Sequence, residues 1–163
     1  MTDRIPDAAR IHSPTKTRDG ITILDIEHYA PFLLNAISNS WQRKTSPVYR
    51  ERFGIGITEW RVMSMLNIEP EISAHRICEV IKMDKAAVSR SLKILDDLGY
   101  LRFDSAPNDP RKRRWSLADE GLRVHNEIMA VALESEEDMV QGLTPDQLDS
   151  FLKTLRQILA NFD

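Results

Sequence analysis

At 163 residues, with 42% hydrophobic side chains, the chain has the size and content of one ordinary domain with a core of its own. Its single cysteine excludes an internal disulfide and any multi-cysteine zinc site, and no stretch approaches the ~20 apolar residues of a membrane span. The net charge of −3 is unevenly held: residues 73–114 carry ten Lys/Arg against six Asp/Glu, the remainder twelve against nineteen, which places one basic surface on an acidic body.

The opening MTDRIPDAARIHSP lacks the apolar core of a signal peptide. Together with the lone thiol Cys78, set among apolar neighbours, this points to a reducing cytoplasm. Residues 1–22 are polar and aperiodic and read as a flexible tail; residues 23–163 read as a single domain. From Asp25, Ile26, Tyr29, Phe32, Leu33, Ala36, Ile37 and Trp41 recur at helical spacing, and the first helix (about 25–53) is expected to bend or break at Pro47. Thr58 is the expected N-cap of a second helix with Trp60, Met63 and Leu66 inward.

Ser73 caps a short third helix, AHRICEVI, with Ile77, Val80 and Ile81 on its inner face; Lys82-Met83 makes a turn and Asp84 caps a fourth helix. There Val88, Leu92 and Leu95 form the inner stripe, and Ala86, Arg90 and Lys93 lie opposite, flanked by Lys85 and Ser89. LRFDS and RWSLA alternate as strands around the turn-rich APNDPRKR, so the cation run at residues 111–114 is expected at the tip of a hairpin. A long fifth helix follows from about Asp119. Thr144-Pro145-Asp146-Gln147 forms a capping box before a last helix bearing Leu148, Phe151, Leu152, Leu155, Ile158 and Leu159. The expected fold is mainly α with a small β-hairpin wing: a winged helix–turn–helix lobe (about 57–118) plus helical dimerisation regions (about 25–53 and 119–162).

Short helix, tight turn and cationic second helix suit the DNA major groove. Arg90 has the planar fork that fits guanine, Ala86 keeps the helix front slim, and Ser89 donates or accepts. Lys85, Lys93 and the Ser73 helix start suit phosphates. Arg111, Lys112 and Arg113 on the wing suit the neighbouring minor groove, with Asp109 bracing the arginine stem. No catalytic, metal or cofactor site is expected: His12, His28, His75 and His125 lack ligand spacing, and neither a GxSxG nor a phosphate loop occurs. The rival reading is a helical dimerisation module whose basic wing binds a partner protein, or nucleic acid without sequence preference.

KAAVSRSLKILDDLGYL followed by NDPRKRRWSLADEG resembles the MarR family of bacterial winged-helix regulators. Asp109, Arg111 and Leu117 match its wing signature, and the likeness runs from about Ile26 to the C-terminus. Ala118 departs from the family's usual threonine cap, and Asp119 is expected to take that role. The resemblance implies a two-fold homodimer on double-stranded DNA with a palindromic operator, usually acting as a repressor. Phe32, Leu33, Phe151, Leu155 and Leu159 are the interface candidates, on terminal helices that carry more apolar residues than one lobe buries. It further implies a small-molecule effector, here an aromatic carboxylate or its coenzyme A thioester. The pocket candidates are His28, Tyr29, Asn35, Ser38, Trp41, Trp60 and Arg61, with Arg61 for a carboxylate and the tryptophans for a ring. The family's peroxide-sensing cysteine near the first helix start is missing.

Overall fold

The computed structural model describes residues 9–106 and 109–162; of residues 105, 106 and 109–112 it describes the backbone alone. In chain order the elements are β1 (Thr15–Arg18), β2 (Ile21–Leu24), α1 (Ala30–Phe53), α2 (Ile57–Ile68), α3 (Ala74–Ile81), α4 (Lys85–Asp97), β3 (Leu101–Ala106), β4 (Asp109–Leu117), α5 (Asp119–Val140) and α6 (Pro145–Ala160). The mainly α class with a hairpin wing is as expected. Among the described residues no helix is long and apolar enough to cross a membrane. The chain divides into two compact units, Met1–Lys44 and Thr45–Asp163.

In the first unit, residues expected in the tail form a hairpin, with Thr15 opposite Leu24 and Arg18 opposite Ile21. Asp19 and Gly20 close it with φ of 51° and 76°, the two positive angles that a type I′ hairpin turn demands. α1 then starts at Ala30 and not near Asp25. The cause is Asp25, which turns the chain instead: its backbone N–H donates to the Pro14 carbonyl at 2.9 Å and its carboxylate accepts from Glu27 N at 3.3 Å. Hydrogen bonding to His28, helped by Lys16, holds the Asp25 carboxyl below its ordinary value.

The second unit holds the core, in which Val62, Met63, Leu66, Ile77, Val88, Leu92, Leu95 and Ile128 are all buried. Pro47 lies inside an uninterrupted α1, against the expected break. An interior proline costs about 3 kcal/mol, and Thr45 and Tyr49, buried on either side of it, anchor this stretch of the helix. α2 is capped by Gly56 and Glu59, not by Thr58, because the Glu59 carboxylate reaches back to the Gly56 N–H at 2.9 Å. The other Glu59 oxygen accepts from Ser91 Oγ at 2.6 Å, tying the start of α2 to the middle of α4. Ser91→Ala leaves that half-buried carboxylate short of a donor. An expected loss of about 1.5 kcal/mol is read from the urea midpoint, and an unshifted midpoint would show that the bond contributes nothing.

α5 begins at Asp119 behind an Ala118 N-cap that makes no side-chain bond, so Asp119 does not replace the missing threonine; it stands in the first turn, where a carboxylate favours the helix dipole. Ala118 N donates to the Tyr100 carbonyl at 2.9 Å, which brings α5 so close to the β3 start that only glycine fits at 121. α6 opens on the expected capping box, with Thr144 N to Gln147 Oε1 at 2.8 Å and Gln147 N to Thr144 Oγ1 at 3.3 Å. Its apolar stripe is left without a single buried residue.

Candidate nucleic-acid interface

Ser73 Oγ caps α3 by accepting from Arg76 N at 3.2 Å, and Asp84 caps α4 by accepting from Ala87 N at 2.9 Å. Between them Lys82 takes the left-handed conformation (φ 52°), which turns the chain within three residues. With Val88, Ser91, Leu92 and Leu95 buried, α4 presents Lys85, Ala86, Ser89, Arg90 and Lys93 to solvent on one face. Lys93 Nζ lies 2.7 Å from the Asp97 carboxylate, and this hydrogen bond raises its pKa, so it stays charged. Meeting a phosphate requires it to leave Asp97. Val80, expected inward on α3, is exposed, since Ile77 takes the buried position of that short helix.

β3 and β4 pair antiparallel from Leu101↔Leu117 out to Ala106↔Asp109, so the cation run belongs to the returning strand and not to the turn. A solvent-facing strand tolerates such charges and gains solubility from them. The base of this wing is locked to the lobe. Ile72 and Trp115 exchange backbone hydrogen bonds at 2.8 and 3.3 Å, Glu71 N donates to Ser116 Oγ at 3.1 Å, and Arg114 Nη1 donates to the Glu71 carbonyl at 3.2 Å. Arg113 lies with its guanidinium over the Phe103 ring, 4.3 Å from the centroid. A groove of about 430 Å³ runs between α4 and the wing, lined by Ala74, Lys85, Ser89, Lys93, Arg113 and Trp115 among others. The structure thus brings together Lys85, Ser89, Lys93 and Arg113, with Ser73 at the adjoining helix start. The side chains of Asp109, Arg111 and Lys112, and with them the expected brace, lie outside the described residues.

Of the pocket candidates, Trp60 and Arg61 line a second groove of about 390 Å³ with Ser64, Met65, Ile68 and Val80. In the first unit, His28 is bonded to Asp25 at 3.0 Å with its ring tilted against that of His12, 4.4 Å between centroids, Ser38 accepts from Gln42 Nε2 at 2.9 Å, Asn35 is exposed, and Tyr29 and Trp41 are half-buried. Sequence reasoning missed His125, which is buried in α5 and stacked 5.0 Å from Trp60. Its position between Val124 and Ile128 on the inner stripe was the available signal. Tyr49, also passed over, is fully buried, its hydroxyl has no hydrogen-bond partner among the described residues, and burial pushes its pKa up.

A profile described as the MarR family matches residues 53–112, from the end of α1 through the helix–turn–helix into the wing. A MarR/EmrR family transcriptional regulator from Acinetobacter sp. ADP1 superposes with a TM-score of 0.78 at 28% identity, over 86% of this chain and 99% of that one.

Residues 53–112 of this chain are similar to the MarR family.

The match covers the helix–turn–helix and most of the wing, the winged-helix arrangement that MarR-family transcriptional regulators share. The HTH-type transcriptional regulator PapX of Escherichia coli is 22% identical over 138 residues, 83% of this chain and 84% of its own length. Two further structures share the fold. One is a mutant MarR from E. coli complexed with operator DNA (TM-score 0.69, 20% identity, 78% of this chain and 91% of that one). The other is PcaV from Streptomyces coelicolor in complex with its natural ligand (TM-score 0.74, 18% identity, 88% of this chain and 100% of that one).

Proposed function

We propose that the chain is a cytoplasmic homodimeric repressor that binds a palindromic operator and is released by a small aromatic carboxylate or its coenzyme A thioester. The observation that carries the DNA half is the convergence of exposed Lys85, Ser89 and Lys93 of α4 on one groove with the wing, backed by the helix start at Ser73. Ala86 and Arg90 face the base edges in this reading, and Asp109, Arg111 and Lys112 serve the minor groove. The domain division follows: a DNA lobe at about 57–118 and dimerisation helices at about 25–53 and 119–162. Phe32, Leu33 and Leu159 are exposed at 45%, 42% and 52%, and Phe151 and Leu155 are half-buried on a helix with no buried residue, which supports α1 and α6 as the surfaces a second copy covers. Two recognition helices in such a dimer stand about 34–36 Å apart, one DNA turn.

For the effector, the groove at Trp60 and Arg61 offers a ring to stack on and a guanidinium for a carboxylate. His28, Tyr29, Asn35, Ser38 and Trp41 lie in the first unit and are not part of this groove's lining. The ligand complex of PcaV and the operator complex of MarR support both halves of the reading by likeness of fold.

The test of the DNA half is binding of Arg90→Ala to the operator selected by the wild type. The expected loss is about 1–3 kcal/mol, with relaxed preference at one position of each half-site. Equal loss on every sequence would assign Arg90 to the phosphates.

A further inference from the structure

We propose that Arg113 is a positioning residue: its guanidinium, stacked on Phe103, fixes the angle at which the outer wing leaves the DNA lobe, and it does not itself pair with a phosphate. Within the MarR-family reading this divides the cation run by task, and three observations carry it.

The first is the side of the strand. Residues alternate faces along β4, so Arg113 shares a face with Trp115, which is 7% exposed and packed in the core; Arg114 lies on the other. Arg113 is therefore turned towards the body, into the groove beside α4. The second is the contact itself. The guanidinium carbon lies 4.3 Å from the Phe103 centroid and 5.8 Å from that of Trp115, both within cation–π range, and the two rings are 5.0 Å apart. Phe103 is directly opposite Trp115 in the ladder, so the stack ties β4 diagonally to β3.

The third is where the stack sits. Below it the wing is locked to the lobe by Ile72, Glu71, Arg114 and Ser116. Just beyond it the register shifts between Asp104 and Ala106, an irregularity at which a strand pair bends. Arg113 stands at the junction between the anchored and the irregular halves. Arg111, the wing residue proposed for the minor groove, lies two residues further out and inherits whatever direction the strand takes there.

The experiment uses the full-length protein in three forms: wild type, Arg113→Ala, and Arg113→Gln, whose neutral planar amide can still lie on the ring. Amide hydrogen exchange is followed in the outer wing without DNA. The dependence of duplex affinity on salt is then measured between 50 and 200 mM. With Arg113→Ala, exchange at Ala106 and Asp109 is expected to quicken about two- to five-fold, Arg113→Gln should restore part of that protection, and the salt slope should equal that of the wild type in both. A slope lower by about 0.9 would make Arg113 a phosphate contact, and unchanged exchange would show that it holds nothing; either overturns the proposal. Phe103→Leu, at a position 39% exposed and so tolerant of the change, should reproduce the faster exchange from the other partner of the stack. The slope is read on a duplex of any sequence, so failure to find an operator would count against the regulatory proposal and leave this comparison standing.

Discussion

Gly121→Ala is expected to lower the thermal midpoint by roughly 6–12 °C. A Cβ at 121 would lie 2.0 Å from the Tyr100 carbonyl oxygen and 2.8 Å from its carbon. Those are backbone atoms at the start of the wing, already fixed by the bond from Ala118 N. No rotamer change relieves the clash, so α5 must move off the β3 start and open the core around Val124 and Ile128. Overpacking of this kind costs about 3 kcal/mol or more, and a domain of this size loses roughly 2–4 °C per kcal/mol. Calorimetry checks it, and a midpoint within 2 °C of the wild type would mean that α5 slides without penalty.

The second large effect concerns assembly. The double variant Leu33→Asp, Leu159→Asp places two carboxylates on the faces proposed to meet a second copy. Both positions are exposed in the single chain, at 42% and 52%, so its own core is untouched. Sedimentation is expected to show a monomer whose operator affinity has fallen about 10³-fold, to the level of unrelated DNA. A variant that stays dimeric with full operator affinity would move the interface elsewhere.

The DNA lobe was largely legible in the sequence because its determinants are local. Ser73 and Asp84 each use their own side chains to cap the helix that follows, and Val88, Leu92 and Leu95 declare a stripe by spacing alone. What escaped depends on contacts distant in sequence or on a competing local choice. Glu59 outbids Thr58 at the start of α2 while also holding Ser91, 32 positions away. Pro47 reads as a break, yet burial of Thr45 and Tyr49 carries α1 through it. The Asp19-Gly20 turn is a strong hairpin signal, set in a polar composition that by itself reads as a tail. In the wing, alternation along RKRRWSL contains the information that Arg113 follows Trp115 inward, but only the ladder register shows that pairing continues past the charges.

The central claim is sequence-specific recognition by a dimer, and selection of binding sites from a random duplex pool in about 0.15 M salt, where contacts to phosphate alone are weakened, tests it most directly. The expected result is an enriched palindrome with half-sites one turn apart, bound at least about 10³-fold more tightly than unrelated DNA. Retention that is sensitive to salt but enriches no motif would contradict it, and the basic wing would then serve a protein partner or nucleic acid of any sequence.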